Sequence, residues 1–107
     1  MLEAFALRHE VFVVEQRIPE ELEVDADDKI AIHLVALLDR RAVGTLRIVR
    51  HGRTAKIGRM AVAASMRKYG IGRALMVTDP PVRAASLKWA QEELQKVVEI
   101  IEKTKWR

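Results

Sequence analysis

The residues that most clearly indicate a chemical function form a short basic stretch that contains glycine. It runs Arg67-Lys68-Tyr69-Gly70-Ile71-Gly72-Arg73, between a predicted strand and a predicted helix. The first N–H groups of a helix have no partner inside the helix, and they lie at the positive end of its dipole. Glycines at positions 70 and 72 would let a phosphate approach the backbone, and the basic side chains add charge. The stretch therefore predicts a site for a phosphate or pyrophosphate group.

The motif has a second interpretation, since a helix can begin with small residues and bind nothing. It is not the dinucleotide fingerprint G-x-G-x-x-G, and it lacks the Gly-Lys-Ser/Thr ending of a P-loop. Its position favours the functional interpretation. A predicted strand ends at Arg59-Met60-Ala61-Val62, and a loop of four residues leads from there to Arg67.

Few other side chains are candidates for chemistry. Glu15 could take a proton from an amine, although an exposed glutamate near a helix end needs no function to explain it. His33 lies in an apolar run and is predicted to be a hydrogen-bonded core residue rather than a catalyst. His9 and His51 have no Asp or Glu at metal-ligand spacing, so we expect no metal site.

Hydrophobic periodicity predicts one helix followed by three strands. Residues 3–14 alternate apolar and charged positions as an amphipathic helix does, and residues 30–38 form a nearly continuous apolar run of strand length. Residues 42–49 and 55–62 give two more strands after short polar turns. Strands joined in this way form an antiparallel meander.

The last part of the chain is predicted to be one long helix. Asp79-Pro80-Pro81 ends the helix that follows the glycines and supplies an N-cap and first-turn prolines for the next one. Residues 81–105 then repeat apolar or small side chains every three or four positions, at Leu87, Ala90, Leu94, Val97, Ile101 and Thr104. The pairs Glu92–Lys96 and Glu99–Lys103 have the spacing that stabilises a helix.

Composition and charge narrow the classes of function. The 107 residues have the length of one domain, with no cysteine and no run long enough for a membrane span, so we expect a cytoplasmic protein. Residues 1–29 hold nine acidic and three basic side chains, whereas residues 40–73 hold ten basic and no acidic ones. The basic block suits a polyanion or a phosphorylated cofactor. The acidic run at 20–28 is predicted to be a solvated loop, with attraction of a cationic amine as the alternative.

Three segments resemble the GNAT superfamily of N-acetyltransferases, and in particular its ElaA/YjcF-like branch. The first is LRHEVFVVEQRIP at 7–19, and the second is His33-Leu34-Val35-Ala36 followed by Val43-Gly44-Thr45-Leu46-Arg47. The third is Gly58-Arg59-Met60-Ala61-Val62 with the stretch from Arg67 to Gly72. The resemblance implies an α/β (α+β) partial GNAT-like fold. It would have an N-terminal helix, a three-stranded meander, a short pyrophosphate-loop helix and the long C-terminal helix.

The resemblance also implies an acyl-CoA site and a reaction. In similar proteins, the strand that matches Met60, Ala61 and Val62 pairs with the pantetheine amide, and the following loop wraps the pyrophosphate. The matching loop residues here are Arg67, Lys68, Tyr69, Gly70, Ile71, Gly72 and Arg73. The implied reaction moves an acetyl group from acetyl-CoA to the amine of a small molecule or protein, with a strand N–H group polarising the thioester carbonyl. Glu15 is then the candidate base.

The resemblance is expected to end near residue 76. Relatives would continue with strands that carry a tyrosine acid, but the sole tyrosine here, Tyr69, lies in the phosphate loop. The chain is therefore interpreted as a GNAT-like segment (1–76) joined to a helical tail (77–107) in one compact unit. It would be a truncated or chimeric form with little activity. A non-catalytic scaffold that binds CoA or self-associates is the alternative to an enzyme.

Two further expectations concern partners. An open edge on the third strand and an apolar seam on the tail (Leu87, Leu94, Val97 and Ile101) predict a homodimer, against a monomer whose helix covers its own sheet. A nucleic-acid module is disfavoured, because helix-turn-helix, zinc-finger and RNP motifs are absent and the arginines are not interleaved with aromatic residues.

Overall fold

Short helices and one antiparallel sheet make up the structure. The computed structural model describes residues 2–77, 85–86 and 99–103. Its N-terminal helices are α1 (Leu2–Arg8), a π-helical continuation (His9–Glu15), α2 (Glu20–Glu23) and a 3₁₀ helix (Ala26–Lys29). The strands β1 (Ile32–Leu38), β2 (Arg41–His51) and β3 (Thr54–Val62) follow. A second 3₁₀ helix (Ala64–Tyr69) leads into α3 (Ile71–Val77), and the last described elements are β4 (Ala85–Ser86) and β5 (Glu99–Lys103).

The predicted first helix and three-stranded meander are confirmed. β1 pairs with β2, and β2 pairs with β3, all antiparallel. The loop between β1 and β2 consists of Asp39 and Arg40, which have φ angles of 51° and 65°. Positive φ at both central residues is the geometry of a type I′ turn, whose twist matches that of the strands it joins. The turn therefore fixes the register that places Leu38 opposite Arg41.

The acidic run at 20–28 is not a solvated loop, so that prediction was wrong. It forms α2 and most of the 3₁₀ helix, and it buries Glu23 and Asp28. The guanidinium groups of Arg8 and Arg47 reach these carboxylates from α1 and β2. Buried charges are tolerated only when they are paired. The run therefore packs because arginines from elsewhere in the chain enter among its like charges.

The predicted long C-terminal helix is also wrong where the structure describes it. Residues Glu99–Lys103 form β5, which pairs with β1, and β4 pairs with β5. The strand order is β3-β2-β1-β5-β4. The helix prediction used the spacing of Glu99 and Lys103, but residues four apart in a strand are separated by about 13 Å. The backbone groups of the second edge of β1 need partners, and this long-range pairing outweighs the local preference.

The remainder of the predicted helix lies outside the described residues. This includes Leu87, Leu94 and Val97 of the proposed dimer seam, while Ile101 lies opposite Val35 in the sheet. Ile101 is therefore part of a strand and cannot belong to an apolar seam on a helix. The homodimer and the division of the chain at residue 76 stay predictions.

Helices cover both faces of the β1–β3 sheet. Successive side chains of a strand point to opposite faces. On one face, the sheet packs against α3 in a cluster made of Leu34, Ala36, Val43, Leu46, Met66, Ile71, Ala74 and Leu75. On the other face, Ala61 packs against Leu7 and Val11 of the first helix. The end of β3 thus lies between the two helical layers.

Gly44 sets how closely α3 approaches the sheet. A Cβ at this position would lie 2.7 Å from Ile71 Cγ2 and 3.1 Å from Leu75 Cδ1, and both side chains are buried. We expect Gly44→Ala to lower the free energy of unfolding by about 2 kcal/mol, because overpacking a filled core typically costs 1–3 kcal/mol. Urea denaturation measures this change.

Gly58 provides the matched control, since a Cβ there would have no neighbour within 4 Å. Gly58→Ala makes the same substitution in the neighbouring strand and is expected to change stability by less than about 0.5 kcal/mol. Equal losses for the two variants would show that the contact between α3 and Gly44 is not tight.

Candidate functional site

A bulge bends β3 near its end. Leu46 of β2 lies opposite two residues of β3, Arg59 and Met60, where the register shifts. Arg59 has a φ of 50°, which is uncommon for a residue other than glycine. Bulges increase the local twist and re-aim side chains, and they occur frequently beside active sites. The bulge therefore marks this end of β3 as a place to look for function.

The predicted cofactor strand is an edge strand in the part of the chain that the structure describes. Met60 is 41% exposed and Val62 is half-buried, whereas Ala61 is buried against the first helix. Ala61 can therefore offer only its backbone to a ligand. The carbonyl of Val62 accepts a hydrogen bond of 3.0 Å from Arg67 Nε, which ties the strand end to the loop.

The two glycines of the loop serve different geometric needs. Gly70 adopts the left-handed conformation (φ 73°) that ends the 3₁₀ helix, and its carbonyl accepts the 3.1 Å hydrogen bond from Ala74 that begins α3. A Cβ at Gly72 would lie 3.5 Å from Val62 Cγ2 and 3.6 Å from Met60 Sδ. Gly72 thus faces the end of β3. The structure brings the predicted strand and loop of the site together at this residue.

The other loop side chains divide into exposed and packed groups. Arg67, Lys68 and Arg73 are exposed, and Lys68 Nζ lies 5.2 Å from the centre of the Tyr69 ring. Tyr69 packs against the α3 cluster, and Ile71 is fully buried within it. At Ile71, therefore, only the backbone can meet a ligand, while the basic side chains line the exposed rim.

An ion pair brings Glu15 to the loop. Arg67 Nη2 donates to both carboxylate oxygens of Glu15, at 2.8 and 2.9 Å. The Arg67 side chain is 46% exposed and the Glu15 side chain is 34% exposed. Ion pairs with this exposure contribute about 0–1 kcal/mol to stability. The structure therefore places the candidate base beside the candidate phosphate loop, although the two residues are 52 positions apart in the chain. A weak, exposed pair of this kind can exchange partners.

A cluster of five charged residues, four of them buried, was not predicted. Arg8, which is 1% exposed, donates to Glu23 Oε1 at 2.6 Å and to Asp28 Oδ1 at 2.7 Å. Arg47 donates to the same Asp28 oxygen at 2.9 Å and to Asp25 Oδ1 at 2.6 Å. We refer to these five residues as the arginine–carboxylate cluster. It joins the first helix, the acidic run and β2.

Hydrogen bonding within the cluster favours the ionised forms of Asp25 and Asp28. Burial raises the pKa of Asp28, but hydrogen bonds from Arg8, the Asp25 backbone and Arg47 outweigh burial and lower that pKa to about 2. The hydrogen bond from Arg47 lowers the pKa of Asp25, and in return the hydrogen bond to Asp25 raises the pKa of Arg47. Each group thus stabilises the charged form of its partner.

Arg59 connects the cluster to the bulge. Its Nε donates to the Glu23 carbonyl at 2.9 Å, and its Nη2 donates to Asp25 Oδ2 at 3.2 Å. A residue in a strained backbone conformation thereby holds the acidic run against β3.

His33 is confirmed as a core residue: it is 2% exposed, its Nε2 lies 2.9 Å from the Asp28 carbonyl, and burial lowers its pKa.

The sequence did contain a signal for the cluster. Arg8 lies among apolar positions of the first helix, and Arg47 lies within an apolar strand. Arginine is almost never fully buried unless it is paired. Two such arginines upstream and downstream of an acidic run could therefore have indicated a buried ionic cluster, although not which carboxylates belong to it.

Two kinds of site are absent from the described residues. Among residues 2–77, 85–86 and 99–103, no three His, Cys, Asp or Glu side chains are grouped so that they could hold a metal ion. Within those same ranges, no helix combines the length and the apolar character that crossing a membrane requires.

The fold and the site together define a class. It is an α+β protein in which a bulged edge strand of an antiparallel meander leads through a basic glycine loop into a helix. Residues 29–102 match the family model described as Acetyltransferase (GNAT) domain. The chain belongs to the GNAT acetyltransferase family. The match continues beyond residue 76, where the resemblance was expected to end.

The chain is also similar to individual curated proteins. The chain is 35% identical over 74 residues to the uncharacterised N-acetyltransferase YjcF of Bacillus subtilis, an alignment that covers 69% of this chain and 53% of YjcF. It is 34% identical over 77 residues to the uncharacterised protein YyaT of the same organism, covering 69% of this chain and 52% of YyaT. The chain thus spans about half the length of these curated relatives.

A solved structure shows the same fold. The crystal structure of Escherichia coli ElaA superimposes with a TM-score of 0.62, at 22% sequence identity, over 92% of this chain and 86% of ElaA. The predicted GNAT-like α+β fold is therefore confirmed.

Proposed function

We propose that this chain is an N-acetyltransferase that transfers the acetyl group of acetyl-CoA to an amine. In the proposed reaction, the amine nitrogen forms a bond to the acetyl carbonyl carbon, the carbon–sulfur bond breaks, and the thiolate of CoA takes up the proton that the amine loses. Membership of the GNAT family supports the reaction class.

One observation carries the assignment of the cofactor site. Gly72 presents only a hydrogen toward Val62 and Met60, where a Cβ would lie 3.5–3.6 Å from their side chains. The start of α3 therefore comes close to the end of the edge strand, with the basic loop beside it. A pantetheine chain could pair with the outer side of β3 here while its pyrophosphate meets the loop backbone. The residues present therefore fit CoA.

The loop would bind the pyrophosphate through its backbone, its charged side chains and the packing that supports them. The N–H groups of Ile71, Gly72 and Arg73 lie in the first turn of α3, where helical N–H groups lack partners inside the helix. They would donate to the pyrophosphate, and the exposed side chains of Lys68 and Arg73 would add charge. Tyr69 would support the loop by packing against the α3 cluster.

Arg67 and Glu15 would act together in the proposed mechanism. Arg67 holds Glu15 through an exposed ion pair, and pyrophosphate would compete with that carboxylate for the same guanidinium. Once Arg67 turns to the phosphate, Glu15 would become available to accept the proton of the amine, directly or through water. On the oxyanion side, a backbone N–H group from Met60, Ala61 or Val62 would stabilise charge on the thioester oxygen.

Calorimetric titration of the full chain with acetyl-CoA and with desulfo-CoA tests the proposal. We expect both to bind with similar affinity, because the strand and the loop contact parts of CoA that both molecules share. Binding without release of CoA thiol in the presence of amines would favour the non-catalytic scaffold instead. If neither compound produces heat at millimolar concentration, the cofactor assignment is wrong.

A further inference from the structure

A cavity of about 200 Å³ opens beside the bulge of β3, on the side of the first helix. Its apolar walls are Phe12 from the first helix, Ile18 from the segment that follows, Leu22 from α2 and Met60 from β3. Met60 is also a residue of the proposed cofactor strand, and its sulfur lies 3.6 Å from the position of a Cβ on Gly72. The cavity and the proposed pantetheine path therefore share a side chain. A molecule in the cavity would lie beside the proposed pantetheine path.

The charged groups at the cavity are already neutralised. The carboxylate of Glu23 accepts a 2.6 Å hydrogen bond from Arg8, and the side chain is 4% exposed. Arg59 is held by the Glu23 carbonyl at 2.9 Å and by the Asp25 carboxylate at 3.2 Å. Gln16, the remaining polar group of the wall, carries no charge. The cavity thus has no unpaired carboxylate that would select a second positive charge on a ligand.

We propose that this cavity binds the apolar substituent of the acceptor, and that the acceptor is a small primary amine with one compact hydrophobic group. The assignment rests on the proposed acetyl transfer. A dry cavity of about 150 Å³ can hold a benzene molecule, so this one suits a phenyl or branched aliphatic group. A polyamine would place a charged ammonium group against Phe12, Ile18 and Leu22, where desolvation of the charge is not compensated. The carboxylates of Glu23, Asp25 and Asp28 cannot supply that compensation, because arginines engage all three.

An NMR titration of the full 107-residue chain tests this proposal without depending on turnover. Phenethylamine and isoamylamine are compared with putrescine and spermidine at equal ionic strength, in the presence and absence of CoA. We expect phenethylamine to shift the backbone amide resonances of Phe12, Leu22 and Met60, with a Kd at least tenfold lower than that of spermidine.

A matched pair of variants separates the cavity from the rest of the surface. Leu22 and Val14 are both 62% exposed, but only Leu22 is a wall residue. Leu22→Ser should weaken phenethylamine binding about fivefold through the loss of apolar contact. Val14→Ser should leave it unchanged, and both variants should keep the CoA affinity of the unmodified chain.

The outcomes distinguish the two proposals. If CoA binds but phenethylamine shifts none of the three amides, or if spermidine binds there as tightly, the amine assignment is overturned and the cofactor assignment stands. If Leu22→Ser and Val14→Ser behave alike, the cavity is not the amine site. Absence of CoA binding overturns the proposed function itself.

Discussion

Replacing Asp28 with asparagine is expected to lower the free energy of unfolding by about 3–5 kcal/mol at pH 7. The substitution keeps the shape of the side chain but removes its charge. Asp28 accepts hydrogen bonds from Arg8 at 2.7 and 3.1 Å and from Arg47 at 2.9 Å, and its side chain is fully buried. When a buried ionic group loses one partner, the remaining charge is uncompensated, and this typically lowers stability by about 3–5 kcal/mol. The total free energy of unfolding of a small domain is about 5–15 kcal/mol. Urea denaturation will therefore detect a loss of this size readily.

Asp27→Asn is the matched control. Asp27 lies in the same 3₁₀ helix, and the hydrogen bonds that Ile30 and Ala31 donate to it end on its backbone carbonyl. The substitution removes the same charge from the chain, yet we expect a change below about 0.5 kcal/mol. Similar losses in the two variants would mean that net charge, and not the buried cluster, stabilises this segment.

The pH dependence of the Asp28→Asn difference provides an independent check. The pKa of Asp28 is about 2 in the folded chain, below its ordinary value of 3.8. A lowered folded-state pKa means that the stabilisation is fully present above the unfolded value and is lost as the pH falls toward 2. The part of the difference that comes from Asp28 itself should therefore be constant from pH 7 to about 5 and should shrink below pH 4. Burial lowers the pKa of His33, so protonation of His33 lowers stability below pH 6.5 in both proteins. Because the charge of Asp28 raises that pKa, the variant is expected to lose somewhat more stability in this range.

Gly72→Val is expected to reduce CoA binding by at least about 100-fold. The branched side chain would extend from a Cβ that already lies 3.5 Å from Val62 and 3.6 Å from Met60, and it would fill the space assigned to the pantetheine and pyrophosphate groups. These are ordinary van der Waals distances, and Gly72 is half-buried rather than enclosed, so the fold should accept the change. Calorimetry gives the affinity, and a thermal unfolding curve verifies that the protein stays folded.

Arg73→Ala supplies the comparison. Arg73 is exposed at the rim of the loop, and its charge is one of several there. We expect a loss of about 1 kcal/mol, or about fivefold in Kd, which is the scale of one partly exposed charge-assisted contact. Equal effects of Gly72→Val and Arg73→Ala would contradict the assignment of backbone contacts as the main source of phosphate affinity.

Much of the site could be predicted from residues that are neighbours in the chain. The apolar run of β1, the two strands after it and the glycine loop are all signalled by the spacing of side chains over fewer than a dozen positions. The same applies to His33, whose apolar flanks indicate a core position, and to Gly70, whose left-handed conformation ends a helix. Such features depend on the conformational preferences of the backbone and on the local periodicity of apolar residues. Both are determined by residues that are close together in the sequence.

The misjudged segments depend on partners far along the chain. The acidic run was predicted to be solvated because its like charges repel one another, but Arg8 and Arg47 enter from the first helix and from β2. Residues 99–103 were predicted to be helical from their spacing, but β1 offers them an unfilled edge. In each case, a group from another element changed the environment that the local sequence describes.

The first helix, the three strands of the meander, the glycine loop and the family can be predicted from the sequence alone. Contacts between distant elements are needed to see that Gly72 faces the end of β3, that Arg67 holds Glu15, and that a cavity whose charged groups are paired lies beside Met60. Hydrophobic pattern and glycine placement act through the backbone of neighbouring residues, so one sequence suffices to read them. Ion pairs and cavities arise where distant elements meet, and packing of the whole chain determines which side chains meet there.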